Sequence, residues 1–107
     1  MAASLLPEYH ERLLRRFRLL RPAEFARLGE ARMRKLIQDG TATALRHGIE
    51  TERDIAGFID LSLRIGPQFE EALKSVAARK ILDDRTLSGA LKLQLLHLRL
   101  TGELMEI

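Results

Sequence analysis

The apolar residues of this chain recur at steps of three and four, and that spacing constrains the fold more than any other feature. Leu6, Tyr9, Leu13, Phe17 and Leu20 fall on one side of a 3.6-residue period. Glu8, Glu11, Arg12, Arg15 and Arg18 fall on the other, with Glu8/Arg12 and Glu11/Arg15 in the favourable i,i+4 order. Pro7 suits the first turn of such a helix. Pro22 ends it, because the proline ring disfavours helix at the residue before it. A short second helix through Phe25 and Leu28 reaches Gly29.

Glu30 to His47 predicts a third helix, with an apolar stripe of Met33, Leu36, Ile37, Gly40 and Ala44. Arg34, Lys35, Gln38 and Asp39 lie outside it. Gly40 costs about 1 kcal/mol relative to Ala in a helix interior, so either the helix breaks there or a neighbour approaches closely. The apolar phase holds through Ala44 and Leu45, which predicts a continuous helix. Gly48 stops it as a left-handed cap, with His47 in the last turn, where a cation suits the dipole. Thr51 stands three residues before Asp54 and can accept from its amide, much as in a capping box. The fourth helix, to about Ile65, carries Ile55, Phe58, Ile59, Leu61 and Leu63 around most of its circumference, which places it centrally. Gly66-Pro67 ends it. A fifth, kinked helix runs through Phe69, Leu73, Val76, Ala77 and Ile81 to a turn at Asp83-Asp84-Arg85.

The last helix begins near Thr86 or Ser88 and runs to about Leu104. It carries two apolar stripes rather than one. Leu87, Leu91, Leu95, Leu98 and Met105 form the first; Leu93, Leu96, Leu100 and Leu104 form the second, roughly opposite. Lys92 and Arg99 lie between them on one side, with Gln94, His97 and Thr101 on the other. A terminal helix docks with one stripe, so two require burial on both sides or a partner.

No run alternates apolar and polar residues over five or more positions, so no strand is expected. With 107 residues, 46% of them hydrophobic, the chain can bury a core as a single domain over residues 1–107, with residues 1–6 frayed. The predicted class is all-α: a compact bundle of five or six helices with no β-sheet. Cys is absent, which excludes a disulfide scaffold, thiolate zinc sites and a cysteine nucleophile. Met1 to Leu6 lacks a basic lead-in to a long apolar stretch, so no secretory signal is expected there. No window of about 18 residues is free of charge, so no membrane span is expected either, and the cytoplasm is the expected compartment.

Candidate chemistry is sparse. His10, His47 and His97 share no metal-ligand spacing, and each reads as a solvated or capping side chain. Glu70-Glu71 and Asp83-Asp84 sit near helix ends or turns, pointing about 100° apart within each pair. None of Ser4, Ser62, Ser75 and Ser88 lies in a Gly-x-Ser-x-Gly turn, and no glycine-rich phosphate loop occurs. No enzyme, metal or cofactor is expected. Residues 8–35 hold nine basic side chains against four acidic ones, within an overall net charge of +3. A basic patch of Arg12, Arg15, Arg16 and Arg18 could neutralise phosphates. No aromatic residues interleave to stack bases, however, and several arginines have acidic neighbours one turn away. A solvated face or an acidic protein partner is therefore preferred to nucleic acid.

One segment carries a resemblance: Arg46-His47-Gly48-Ile49-Glu50-Thr51-Glu52-Arg53-Asp54-Ile55, then Phe58-Ile59 and Gly66-Pro67-Gln68-Phe69. It resembles a pattern in small helical proteins and C-terminal helical regions encoded near type VI secretion spike and effector genes in proteobacteria. With the preceding helix and the Ile81-Leu82-Asp83-Asp84 turn, the resemblance spans roughly residues 20–100. Its motifs are mostly cap and core chemistry. Glu70-Glu71-Ala72 stands where other members continue with an acidic residue and a proline-bearing loop. The resemblance implies an adaptor or chaperone that holds an effector or spike component before export. The two-striped last helix fits that role, with Leu93, Leu96, Leu100 and Leu104 as the expected protein interface. Burial of both stripes within one subunit, a homodimer through the same surface, an immunity protein for a cognate toxin and a nucleic-acid-binding domain are the alternatives.

Overall fold

A computed structural model describes the backbone of residues 6–103 and the side chains of residues 8–103. The fraying expected of residues 1–6 falls on residues 1–5, outside the described segment, and on Leu6, which opens the first helix. In chain order the helices are α1 (Leu6–Leu20), α2 (Pro22–Leu28), α3 (Glu30–Arg46), α4 (Glu52–Ile65), α5 (Phe69–Leu73), α6 (Val76–Leu82) and α7 (Gly89–Thr101). Six of these have seven or more residues, α5 is a five-residue turn of helix, and the described residues contain no strand. The all-α bundle is what the periodicity predicts.

The breakers act where expected. Pro22 opens α2, and Gly29 and Gly66 end α2 and α4 with φ of 84°. Gly48, at φ 79°, closes α3 in a double-bonded left-handed cap. The Ile49 amide reaches back to the Ala44 carbonyl and the Gly48 amide to that of Leu45. The cap delivers Ile49 into the core with no exposed surface. Thr51 then accepts from the Asp54 amide at 3.1 Å and starts α4.

At the centre, α3 and α4 pack on one another. A Cβ on Gly40 would stand 2.8 Å from Cγ1 of Ile59, so the glycine in α3 marks a close crossing and not a break. Helices α1 and α2 pack on α3, and α7 packs on α4 and α6. Met33, Ile37, Ala44, Ile59 and Leu96 have no exposed surface, and Phe58 and Leu61 have 1% each. Each of these side chains larger than alanine contributes about 1.5–3 kcal/mol by leaving water. Tyr9 is buried as well, its hydroxyl donating to the Glu52 carbonyl at 2.9 Å. Burial and the nearby Glu52 carboxylate push its phenol above the ordinary tyrosine range.

Several expectations fail locally. Leu14 joins the core beside Leu13 and Phe17, whereas Leu20 is 60% exposed because α1 ends before α2 turns away. The predicted fifth, kinked helix is two: Ser75 accepts from the Ala78 amide at 3.2 Å and caps α6, so a new helix starts there. Val76, placed on the apolar face of that helix, is exposed. Gly102, at φ 73°, stops α7 at Thr101, short of the expected Leu104. Leu104 and Met105 lie outside the described residues.

Candidate protein-interaction surface

Helix α7 starts at Ser88, whose hydroxyl accepts from the Leu91 amide at 3.1 Å. Gly89 follows because nothing larger fits: a Cβ there would meet the Gly48 carbonyl oxygen at 2.4 Å and Ile49 Cα at 2.9 Å. The first turn of α7 thus lies directly on the chain linking α3 to α4. That contact fixes which side of the helix turns inward. Leu93 and Leu96 are buried, and Leu100 is half-buried against the same core.

The expected interface is therefore corrected. Leu93 and Leu96 are core residues of the single chain, Leu100 packs against them, and Leu104 lies outside the described residues. The other stripe faces out: Leu91 and Leu98 are 41% and 40% exposed, with Leu87 and Leu95 half-buried alongside. Two stripes of equal hydropathy do not reveal which is inside. Gly89 was the available signal. It shares a stripe with Leu93, Leu96 and Leu100, and a small residue in a helix stripe marks close backbone approach, as Gly40 does in α3.

Lys92, expected on a polar flank, is buried at 7% exposure. Its ammonium donates to the His47 carbonyl at 2.9 Å and the Leu82 carbonyl at 2.8 Å. Those oxygens lie at the C-terminal ends of α3 and α6, the negative ends of both helix dipoles. One buried cation thus ties α7 to two other helices. The His47 imidazole, expected at the helix end as a dipole-matched cation, has its charged form disfavoured in the fold. Desolvation first, then the nearby Arg79, holds its pKa below the usual histidine value, against the opposing pull of Asp83.

Four of the eight arginines between residues 8 and 35 are engaged across the fold. Arg12 pairs with Glu52 at 2.5 Å, Arg18 with Glu30 at 2.8 Å, and Arg34 with Glu11. Arg21 grips Asp60 through two bonds of 2.8 and 2.9 Å. Arg18 also lies 4.9 Å from the ring centre of Phe25. These cross-helix pairs take the place of the expected Glu8/Arg12 and Glu11/Arg15 pairs on one helix. Of the predicted patch, Arg15 and Arg16 alone make no ion pair among the described residues. Glu8, Glu11, Arg12 and Arg15 line one shallow, open depression.

The remaining titratable groups are dispersed. His10 turns partly inward, with its Nε2 buried and without a hydrogen-bond partner, and desolvation lowers its pKa. His97 approaches the Glu103 carbonyl through Nδ1 at 2.9 Å. Glu70 and Glu71 are exposed, and Asp83 pairs with Arg79 at 3.2 Å. Asp84 accepts from the Thr86 hydroxyl and amide, which lowers its pKa. Among the described residues, no three metal-ligating side chains converge, and no helix is long and apolar enough to cross a membrane. Comparisons with protein-family models, curated proteins and solved structures find no match to this chain.

Proposed function

We propose that this chain is a non-enzymatic protein-interaction module that seats a partner polypeptide on the outer face of α7. The observation that carries this reading is the pair Leu91 and Leu98, two turns apart and each about two-fifths exposed on the side of α7 away from the core. Gln94 and the half-buried Leu95 lie between them, so the face is apolar at its centre and carries no charge there. Such a patch suits the centre of a protein contact, where charged groups are depleted. In such a contact α7 would be the ridge that enters a groove on the partner, the helix-in-groove mode.

The resemblance of residues 20–100 to helical proteins encoded near type VI secretion spike and effector genes directs the choice of partner. On that basis the chain acts as a cytoplasmic adaptor or chaperone that holds an effector or spike component before export. Co-expression with a type VI secretion effector or spike component from the same genome tests the assignment. The wild type is expected to co-purify with its partner. Leu91→Glu with Leu98→Glu should release the partner while circular dichroism and gel filtration still report a folded monomer. Full retention by that variant would remove the α7 face from the assignment.

A further inference from the structure

A second exposed apolar feature lies at the C-terminal end of α1, and its chemistry differs from that of α7. Leu19 is 81% exposed and Leu20 60%, more than any leucine of α7. Arg16 precedes them by three and four residues and Arg15 precedes Leu19 by four, so on a helix they stand on the same face one turn back. Both guanidinium groups are exposed and make no ion pair among the described residues. Arg12, paired with Glu52 yet still about half exposed, extends the cationic strip by another turn. Helix α1 stops at Leu20 and the chain turns at Arg21-Pro22, so the leucines sit on a convex corner.

We propose that this corner docks on the surface of an anionic bilayer, with Leu19 and Leu20 entering the headgroup region and Arg15 and Arg16 against lipid phosphates. The charge complementarity selects an anionic surface. Within that class, two leucines among the arginines disfavour nucleic acid, which would leave them against phosphates with nothing apolar to enter. A convex apolar tip with free cations one turn behind matches the layering of a bilayer surface, apolar beneath charged. The docking is peripheral and reversible. It stands independently of the α7 assignment: α1 docks chiefly on α3, whereas α7 docks on α4 and α6.

The test is co-sedimentation of the full chain with phosphatidylcholine vesicles, with and without phosphatidylglycerol. The expected result is binding to the anionic vesicles only, weakening as salt is raised. Arg15→Gln with Arg16→Gln should weaken it about tenfold or more, on the basis of about 1 kcal/mol per basic residue at such a surface. Leu19→Asn with Leu20→Asn should weaken it by a similar factor, and Leu19→Ser alone should act in the same direction if the pair disturbs folding. Val76→Asn removes an exposed apolar residue of α6 and should leave binding unchanged. Equal binding to both vesicle types, or none at low salt, overturns the proposal. So does binding that ignores both leucine variants and is displaced by duplex DNA, which would make the strip a general polyanion site. Loss of vesicle binding alongside capture of an acidic protein would likewise overturn it in favour of a protein partner.

Discussion

Helices α4 and α7 carry the same sequence signature and meet opposite fates. In α4, Ile59 and Leu61 are two positions apart and so point about 160° from one another, yet they are 0% and 1% exposed. In α7, Leu96 and Leu98 have the same spacing, yet Leu96 has no exposed surface and Leu98 is 40% exposed. The difference lies in neighbours. Helix α4 has α3 against it at the Gly40 crossing and α7 as a further packing partner, so apolar residues on both sides leave water. Helix α7 packs on α4 and α6, and its far side has no covering helix among the described residues. An apolar residue is thus a core residue only where topology supplies something to cover it.

The largest expected effects break the symmetry of the two stripes. Leu96→Ala should destabilise by about 2–5 kcal/mol, as large-to-small changes in a packed core do. Leu98→Ala and Leu91→Ala should change stability by no more than about 0.5 kcal/mol. In α4, by contrast, both Ile59→Ala and Leu61→Ala should fall in the higher range. Chemical denaturation of the five variants measures the contrast, and equal costs for Leu96 and Leu98 would mean that α7 is covered on both sides.

Next come the two residues that decide which way α7 turns. Gly89→Ala should cost about 1–3 kcal/mol despite alanine's better helix propensity, because the new methyl meets the backbone of Gly48 and Ile49. A neutral or stabilising result would show that the loop yields. Lys92→Met keeps the apolar stem and removes the cation, leaving the His47 and Leu82 carbonyls without their donor. A loss of about 1–3 kcal/mol is expected. Lys92→Arg should not restore it, since a planar guanidinium does not reproduce the compact ammonium. Thermal melts of the two Lys92 variants beside the wild type settle the point.

The smallest effect is a pH dependence. His10 and His47 both have pKa values lowered in the folded state, chiefly by desolvation. The folded chain therefore holds them neutral more strongly than the unfolded chain does. Their contribution is fully present above the unfolded histidine pKa of about 6.5 and is lost as the pH falls through the lower folded values. The melting temperature should drop modestly between about pH 7.5 and about pH 5, and His10→Gln with His47→Gln should flatten that slope. A wild-type slope that survives the double substitution would assign the effect to other groups.

Several of the helix ends were legible because they rest on chemistry local to the chain. Gly48, Gly66, Pro22 and Thr51 act through their own φ angles, missing amides or hydroxyls, whatever packs around them. The central position of α4 was legible for a similar reason, since apolar residues around most of a helix force burial. The break at Ser75 passed unnoticed because a lone serine inside an apolar rhythm is compatible with a helix interior and with a cap.

By itself, then, the amino-acid order determined an all-α chain, the placing of most of its turns, and a last helix with more apolar surface than one contact needs. It did not determine which leucines of that helix meet the core, that a lysine would be buried across two helix ends, or that Arg12, Arg18, Arg21 and Arg34 would be spent on carboxylates of other helices. Periodicity and capping act over a few residues and are written in the local chain. Inside and outside are relations between segments, here set by a glycine lying on the backbone of Gly48 and Ile49, some forty residues earlier in the chain.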